Sequence, residues 1–481
     1  MSRLLFSHSY FYRFDPKQWK AQQPYPPLAT ILAAAYLREA GHTVALFDTS
    51  LREDPLEVRN ALQQHKPDYF IIYDDGFNYL TKMCLTNMRE AACKMSREAK
   101  GHGCIVIMNS SDASDQYDYY LKNGVDYVVR GEGEETLKAL LDCLEKKEDV
   151  SLVDGIAFLR SDVVVTRSRV IMKDLDSLPL PAWDLVDVES YKRIWLAKHG
   201  YFSLNLATTR GCPFKCNWCA KPIYGNRYNS RSPEHVVREI GMLISKYAPD
   251  HFWMSDDIFG LKPGWIQHFR DLVRSKNLKF KYKIQSRVDL LLQEDTIDAL
   301  AESGAATVWV GAESGSQKIL DAMDKGTTIK EIEDASVLLR RKGIRTGFFL
   351  QFGYPGETRD DIEKTIAMVL KLMPDEIGIS VSYPLPGTKF YEKVKDQLSL
   401  KQNWSDSDDL SMMYSGTYPP EFYKILHRYV HNRYGIERGR TAIRSPLHRS
   451  SFRQLAALVL HVPMALVRGY KMENIYRSHA G

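Results

Sequence analysis

The 481-residue sequence predicts an α/β protein with two successive parallel β-sheets and a helical C-terminal region. In residues 1–150 and again in residues 196–395, apolar runs of strand length alternate with longer amphipathic segments. Between these regions, segment 175–184 carries prolines that disfavour both a helix and a central strand. We therefore divide the chain into a domain at 1–150, a hairpin and linker at 151–195, a second α/β domain at 196–395 and a helical, basic region at 396–481.

The first domain is predicted to be a Rossmann-like unit of five parallel strands and five helices. Ligands of such sheets bind beyond the carboxyl ends of the strands, which here are the loops 9–27, 74–78, 109–115 and 130–134. A hairpin is predicted at 155–167. The predicted strands are 4–7, 43–47, 69–73, 105–108 and 127–129, and the predicted helices are 28–40, 56–66, 80–100, 116–123 and 134–145.

The second α/β domain repeats the strand and helix alternation six times, which predicts a partial (β/α)6 barrel. The chemistry of such barrels is located at the carboxyl ends of the strands. The predicted strands are 202–207, 251–255, 280–285, 307–311, 346–352 and 376–383, and the helices between them are 233–246, 264–275, 295–302, 329–342 and 359–372.

The composition is that of a soluble globular protein, because 44% of the residues are hydrophobic and 26% are charged. The sequence begins without the pattern of a secretory signal, contains no apolar run long enough to span a membrane and has no evenly spaced cysteine framework. We therefore expect a cytoplasmic protein. The net charge of +5 is concentrated near the C-terminus, since residues 421–481 hold 11 lysines and arginines against three acidic residues.

Three of the seven cysteines, Cys212, Cys216 and Cys219, lie within eight residues at a C-x3-C-x2-C spacing. Gly211 and Pro213 disfavour a helix here, which leaves a loop that can bend three sulfurs around one centre. Three thiolates leave one iron of a 4Fe-4S cluster open to a ligand that is not protein. The alternatives are three unrelated buried thiols or a structural zinc site, for which no second cysteine pair or suitably spaced histidine occurs.

With Trp218 before the third cysteine and the apolar run 202–207 before the loop, this stretch resembles the radical S-adenosylmethionine superfamily. The resemblance implies that Cys212, Cys216 and Cys219 hold a 4Fe-4S cluster whose open iron chelates S-adenosylmethionine. An electron from the cluster would cleave S-adenosylmethionine to a 5'-deoxyadenosyl radical. It also implies an external electron donor such as flavodoxin or ferredoxin.

Polar or glycine-rich turns follow each later strand of the second domain and extend this resemblance. Asp256 and Asp257 alternate in direction, so at most one of them is expected to point inward. Arg287 could offer a carboxylate a two-pronged guanidinium group. The resemblance implies that S-adenosylmethionine is bound by Trp218, Asp256, Asp257, Arg287, Glu313, Ser314, Gln351 and Pro384.

Two stretches of the first domain, 26–42 and 125–134, resemble the cobalamin-binding domain that precedes many radical S-adenosylmethionine enzymes. The resemblance implies a corrinoid site formed by Pro27, Asp74, Ser110, Gly131, Glu132 and Gly133. The sequence lacks the D-x-H-x-x-G pattern of corrinoid methyl transferases, so we expect no protein histidine on the cobalt. The alternative is a Rossmann-like remnant that binds no ligand.

The function that this architecture implies is a cobalamin-dependent radical S-adenosylmethionine methyltransferase acting on an unactivated carbon. No catalytic side chain is assigned. One alternative is an anaerobic oxidative cyclase of the magnesium-protoporphyrin monomethyl ester type. Another is a sulfur-inserting or RNA-modifying radical enzyme whose first domain is only a scaffold, although the scattered Cys84, Cys93, Cys104 and Cys143 do not predict a second cluster. An iron-sulfur sensor is disfavoured, because it would not need six elaborated strand ends.

The C-terminal region suggests the type of substrate. The segment 455–467 is mostly apolar and is flanked by Arg449, Arg453, Arg468 and Lys471. Such a helix can lie on a domain face or on an anionic lipid surface. We therefore expect peripheral membrane contact and a hydrophobic small-molecule substrate such as a hopanoid-like lipid or a tetrapyrrole, and we expect no nucleic acid partner.

Overall fold

The computed structural model describes residues 1–83, 85–219, 224–398, 403–444 and 449–478. The chain forms two compact units. The first contains Met1–Pro213, Ala220–Ile284 and Asn403–Asp409, and the second contains Phe214–Cys219, Gln285–Gln402 and Leu410–Gly481.

The first unit begins with a seven-stranded sheet in the order β2-β1-β3-β4-β5-β6-β7. Neighbouring strands among the first five pair in parallel, whereas β6 pairs antiparallel with β5 and β7. The predicted strands are confirmed to within one residue, and the predicted hairpin is present as β6 and β7, which extend this sheet. The strands are β1 (Arg3–Ser7), β2 (Thr43–Phe47), β3 (Tyr69–Tyr73), β4 (Ile105–Asn109), β5 (Tyr127–Val129), β6 (Ile156–Leu159) and β7 (Val163–Val165).

The position of β1 between β2 and β3 makes a topological switch point, because the chain leaves β1 toward one side of the sheet and later strands add on the other. Ligands of open α/β sheets bind in the crevice at such a point. Every residue of β3 is buried, as expected for a central parallel strand that is covered on both faces. The hydrophobic core packed against this sheet includes Leu5, Phe70, Ile72 and Val106.

Helices connect successive strands of the first unit. A single helix was predicted at 80–100, but the structure has two, because Leu85 has an extended backbone and starts the second one. Cys84 lies outside the described residues. The helices are α1 (Pro16–Ala21), α2 (Leu28–Glu39), α3 (Val58–His65), α4 (Tyr79–Lys82), α5 (Thr86–Gly101), α6 (Ser111–Asp115), α7 (Tyr117–Leu121), α8 (Glu134–Lys146), α9 (Val188–His199), α10 (Pro233–Tyr247) and α11 (Trp265–Ser275).

The first unit also contains the opening strands of the second domain. The strands β8 (Ser203–Leu206), β11 (His251–Met254) and β12 (Lys281–Ser286) are parallel, with β11 in the middle, and the last two residues of β12 belong to the second unit. The short antiparallel pair β9 (Thr209–Arg210) and β10 (Asn229–Ser230) flanks the cysteine loop in sequence.

The second unit continues the alternation with the parallel strands β13 (Ala305–Glu313), β14 (Arg345–Phe352) and β15 (Glu376–Val381). The predicted fold class is confirmed, because β8 and β11 to β15 are the parallel strands of a half-barrel and each is followed by helix. The apolar segment 455–467 lies within the longer helix α19. The helices are α12 (Val288–Leu291), α13 (Thr296–Ser303), α14 (Gln317–Ala322), α15 (Ile329–Arg341), α16 (Arg359–Leu372), α17 (Lys389–Val394), α18 (Pro420–Arg444) and α19 (Arg449–Ser478).

Candidate functional site

The cysteine loop begins with a backbone conformation that requires glycine. Gly211 has a φ of +81°, and a Cβ atom there would lie 2.0 Å from the carbonyl oxygen of Arg227. Cys212, Cys216 and Cys219 are thiols rather than disulfides, and Cys216 is buried. Within the described ranges, no group of three or more His, Cys, Asp or Glu side chains is arranged to hold a metal ion. The donor chemistry of three thiols from one loop fits a 4Fe-4S cluster with one open iron, and that ligand set stays a prediction.

Two buried cations lie at Cys216 in the second unit. Nη1 of Arg287 is 3.9 Å from the Cys216 sulfur, and its guanidinium carbon lies 3.8 Å from the centre of the Phe214 ring. Nη1 also donates to the carbonyl oxygen of Lys325 at 2.8 Å, and Nζ of Lys325 donates to Oε1 of Glu313 at 2.9 Å. Burial alone would lower the pKa of Lys325, but the charges of Glu313 and Cys216 outweigh burial and raise it. This arrangement favours negative charge on the Cys216 sulfur.

The predicted S-adenosylmethionine residues of the second unit fall into two groups. Glu313 and Ser314 are buried and already engaged, the first by Lys325 and the second by the Thr365 hydroxyl at 3.1 Å. Oε1 of Gln351 and Nε1 of Trp218 are buried and have no hydrogen-bond partner in the described part of the chain. An unpaired buried polar atom costs about 1–3 kcal/mol, so these two atoms are the ones that a bound ligand would satisfy.

The other two predicted residues differ from each other. The guanidinium of Arg287 donates to the Asp289 carboxylate and to the carbonyl oxygens of Lys325 and Gly326. These protein acceptors already engage the Arg287 guanidinium. Its contact with the carboxylate of S-adenosylmethionine stays a prediction. Pro384 is buried beyond the end of β15.

Asp256 and Asp257, at the end of β11 in the first unit, have separate partners. The Asp256 carboxylate accepts hydrogen bonds from the amides of Thr208 and Thr209 and from the Thr208 hydroxyl, each at 2.7 Å. Burial raises the pKa of Asp256 to about 6. Asp257 is half-buried, and its Oδ1 lies 2.5 Å from Nζ of Lys82 in α4. Asp256 therefore fixes the backbone just before the cysteine loop, and Asp257 ties the same strand end to the first domain.

The predicted cobalamin residues lie along the carboxyl edge of the seven-stranded sheet. Pro27 directly precedes α2. Asp74 follows β3 and accepts from the amide and hydroxyl of Ser9 at 2.7 and 2.8 Å, which joins the two sides of the switch point. Burial raises the pKa of Asp74 to about 6. Ser110 caps α6 by accepting from the Ala113 amide at 2.9 Å.

Two positions at this edge favour glycine for structural reasons. Gly131 has a φ of +72°, which favours glycine. At Gly133, a Cβ atom would lie 2.6 Å from the Tyr73 ring. A cavity of about 290 Å³ opens beside Gly131 and is lined about equally by polar and apolar groups, among them Arg130 and Asp115. Burial raises the pKa of Asp115 to about 6. A ligand in this cavity would therefore meet both apolar surface and hydrogen-bonding groups.

Glu132 has a partner that the sequence did not reveal. Its carboxylate forms an ion pair with Arg210, while Nη2 of the same Arg210 is 2.6 Å from Oε1 of Glu134. The Met172 amide donates to Oε2 of Glu132, also at 2.6 Å. Arg210 is buried and lies over the Tyr224 ring, with its guanidinium carbon 4.9 Å from the ring centre. The available signal was an arginine two residues before Cys212, at the end of an otherwise uncharged run.

His8 is the buried histidine at the end of β1. Its Nε2 is 2.9 Å from Oδ1 of Asp48, and its Nδ1 is 3.1 Å from the Thr49 hydroxyl. Both ring nitrogens are therefore engaged by neighbouring protein atoms, and the expectation of a cobalt without a protein histidine stays a prediction.

The chain is similar in sequence and fold to several known proteins. A model of the Radical SAM superfamily matches residues 206–369. An uncharacterized methyltransferase of Pyrococcus horikoshii is 32% identical over 389 residues, which are 79% of this chain and 81% of that protein. The anaerobic magnesium-protoporphyrin IX monomethyl ester cyclase of Rubrivivax gelatinosus is 27% identical over 387 residues, or 78% of this chain and 67% of the cyclase. The solved structure of the cobalamin-dependent S-adenosylmethionine radical enzyme OxsB, with aqua-cobalamin bound, shares the fold with a TM-score of 0.76 at 16% identity, over 98% of this chain and 72% of OxsB.

Proposed function

Because the chain belongs to the Radical SAM superfamily, we propose that it is a cobalamin-dependent member that methylates an unactivated carbon of a hydrophobic small molecule. The observation that carries this proposal is the three-thiol loop, with Arg287 and Lys325 at Cys216, in a chain whose first unit also contains an open α/β sheet with a topological switch point. When bound, the cluster supplies the electron that cleaves S-adenosylmethionine, and the cobalamin carries the methyl group.

The residues of the second unit would bind and orient S-adenosylmethionine. Gln351 and Trp218 offer a buried acceptor and a buried donor, respectively. Arg287 and Lys325 stabilise negative charge at Cys216, because both cations are held in place by protein acceptors. Gly315 lets the turn after β13 approach α16, since a Cβ atom there would lie 2.4 Å from the Lys364 carbonyl oxygen.

The residues of the first unit would hold the cobalamin at the switch point and along the strand ends beside it. Pro27, Asp74, Ser110 and the loop 131–133 line this edge, and the cavity next to Gly131 extends it. His8 stays bound to Asp48 and Thr49, so it would not reach a cobalt.

The ligand set is tested by anaerobic reconstitution with iron and sulfide. We expect Cys212→Ala, Cys216→Ala and Cys219→Ala each to abolish the absorbance of the 4Fe-4S cluster and the cleavage of S-adenosylmethionine. Cys143→Ala is the matched control, because Cys143 is also a buried thiol but lies on α8. Full cluster absorbance in any of the three loop variants would show that the ligand set is wrong.

The cobalamin site is tested by titration with hydroxocobalamin and by electron paramagnetic resonance of the reduced cobalt. We expect binding of about one equivalent and no hyperfine splitting from an axial nitrogen. A nitrogen triplet that disappears in His8→Ala would show that a protein histidine binds the cobalt. Absence of binding in the full chain would favour a first domain that is only a scaffold.

The similarity to the anaerobic cyclase gives a second candidate reaction, oxidative ring closure without methyl transfer. The two reactions are distinguished with S-adenosylmethionine that carries a deuterated methyl group, supplied together with a tetrapyrrole or a hopanoid lipid. A deuterium-labelled product supports the methyltransferase. An oxidised product without the label supports the cyclase and contradicts methyl transfer.

The hydrophobic substrate is supported by the C-terminal helix α19. One face packs within the second unit through Ala465, Met472 and Tyr476, which are buried, and Glu473 pairs with Arg359 of α16 at 2.8 Å. The other face exposes large apolar side chains, namely Val459, Leu460, Val462, Met464, Leu466, Val467 and Tyr470.

The exposed apolar face and the basic charge around it fit an anionic lipid surface. Leu466 and Tyr470 are each 70% exposed, and Arg477 and Lys471 lie on the same helix. Within the described residues, no helix is long and apolar enough to cross a membrane. We therefore propose that α19 rests on the membrane surface, where a substrate dissolved in lipid would reach the enzyme.

This contact is tested by sedimentation with liposomes that contain anionic lipid. Truncation of α19 would also remove Met472 and Tyr476 from the interior, so point variants are better. We expect Leu466→Glu with Val467→Glu to abolish sedimentation while S-adenosylmethionine cleavage in solution is unchanged. Val337→Glu, at an exposed apolar position of α15, is the control. A full-length protein that does not sediment, or whose sedimentation does not weaken as salt is raised, would contradict the proposal.

A further inference from the structure

A buried ion cluster connects the predicted cobalamin loop with the start of the cysteine loop. Glu132 lies in the loop after β5, Glu134 is the first residue of α8, and Arg210 ends β9. The exposed fraction of the side chains is 3% for Arg210, 10% for Glu132 and 0% for Glu134. Three charged groups enclosed to this degree are held in place by each other, because each would be strongly destabilised alone.

The geometry of this cluster depends on arginine. The guanidinium is planar and presents separate N–H groups to the two carboxylates, whereas a lysine is a single point charge and cannot hold both in the same way. Tyr224 covers one face of the guanidinium. Gly211, which follows at a φ of +81°, packs against the Arg227 carbonyl and fixes the backbone between Arg210 and Cys212. A shift of the carboxylates is therefore transmitted to Cys212.

A second buried pair acts on the same stretch. Lys82 of α4 holds Asp257, and the adjacent Asp256 binds the backbone of Thr208 and Thr209, immediately before Arg210. Two connections from the first domain thus converge on residues 208–210. Neither connection uses a residue assigned to bind the cluster.

We propose that Arg210 is a positioning residue that couples occupancy of the cobalamin edge to the arrangement of the cysteine loop. The inference rests on the proposed function, because it assumes that cobalamin binds beside the 131–133 loop. Coupling of two sites is reciprocal: if cobalamin favours one arrangement of the loop, a bound cluster must change the affinity for cobalamin by the same factor.

The test measures the dissociation constant of hydroxocobalamin for the full chain with and without the reconstituted cluster. In the unaltered protein we expect the two constants to differ by about fivefold or more, the lower end of typical allosteric coupling. In Arg210→Lys, both cofactors should still bind, and the ratio of the two constants should fall to one. The spectrum of the reduced cluster, recorded with and without hydroxocobalamin, should shift in the unaltered protein and stay constant in the variant.

Arg38→Lys is the matched control, because Arg38 also pairs with a carboxylate of the first unit, Asp184, but on the surface. It should keep the full ratio. If Arg210→Lys does not fold, Glu134→Gln decides the question, since it leaves the Arg210 and Glu132 pair intact, does not alter a residue assigned to the cobalamin site and should still lower the ratio. An unaltered ratio in whichever of the two variants is used, or loss of the ratio in the control, overturns the proposal.

Failure of the inference is distinguishable from failure of the proposed function. An unaltered protein that binds neither cofactor contradicts the function itself. A protein that binds both, with equal cobalamin affinity in the presence and absence of the cluster, contradicts only the coupling.

Discussion

Each of the two units contains a buried cluster of basic and acidic side chains, but the charges of the two clusters are balanced differently. In the first unit, Arg210 faces two carboxylates, Glu132 and Glu134. In the second unit, the two cations Arg287 and Lys325 are paired with Asp289 and Glu313, and the Cys216 sulfur lies within reach of Arg287. In the first cluster, two carboxylates share one cation. In the second cluster, each of the two cations has one carboxylate.

The difference indicates separate tasks for the two clusters. Two carboxylates neutralise the charge of a single cation, so that cation attracts a further anion only weakly. Its role is to hold chain segments together. Two cations whose carboxylates are matched one to one can stabilise an additional anion, such as a cysteine thiolate or a cluster that it holds. The cations at Cys216 therefore bear on the redox chemistry of a cluster bound there. Arg210 bears on the geometry of the cysteine loop.

The largest expected effect breaks the first cluster. Arg210→Met leaves two buried carboxylates without a cation and should cost about 3–5 kcal/mol of stability, the typical result of removing one partner of a buried ion pair. Lys325→Met leaves one carboxylate and should cost less. Thermal and urea unfolding of the cofactor-free protein measures both.

Two further variants sharpen this prediction. Adding Glu132→Gln and Glu134→Gln to Arg210→Met should restore part of the loss, because no buried charge then remains in the cluster. Arg167→Met removes an exposed partner of Asp154 and should leave the unfolding midpoint unchanged. A triple variant less stable than Arg210→Met alone would contradict the charge argument.

A smaller effect is expected at Glu357, a buried carboxyl that accepts from the Gly353 amide rather than from a cation. Burial raises the pKa of Glu357 to about 8, above its value in the unfolded chain. The folded state therefore binds the proton more tightly, and this group's contribution to stability is complete at acid pH and is lost as the pH rises through 8.

Glu357→Gln should remove this loss, so the variant should melt at a higher temperature than the unaltered protein at pH 8.5 and show a flatter profile between pH 6 and 8.5. Glu363→Gln, at an exposed position of the same region, should follow the unaltered protein. Parallel profiles for Glu357→Gln and the unaltered protein would show that Glu357 ionises normally. The range below pH 6 is less informative, because burial also raises the pKa of Asp74 and Asp256 to about 6.

The smallest effect concerns the reduction potential of the reconstituted cluster. Lys325→Gln removes a buried cation at Cys216, and reduction adds negative charge, so the potential should become more negative by on the order of 60 mV, a tenfold change for one electron. Arg210→Gln should shift it less, because the two carboxylates already offset that charge. Redox titration followed by electron paramagnetic resonance measures the shifts, with Lys318→Gln as the exposed control. Equal shifts for Lys325→Gln and Arg210→Gln would abolish the distinction between the two clusters.

The sequence by itself determined the fold class and most strands, because local periodicity reports burial and a parallel strand covered on both faces is a continuous apolar run. β3 is predicted residue for residue for this reason. The cysteine spacing likewise lies within one loop and needs no distant partner. The single helix predicted at 80–100 was wrong, since the interruption at Leu85 is not marked by glycine or proline.

Only the tertiary structure decided the partners of the charged residues. Arg210 and Glu134 are 76 positions apart, and Lys82 and Asp257 are 175 apart, so no local pattern connects them. Lys325 reaches Glu313 because β13 ends in a residue with a φ of +54° and α14 turns the chain back. Periodicity shows which face of a segment is buried, but the cation that a buried carboxylate meets depends on packing between segments distant in sequence.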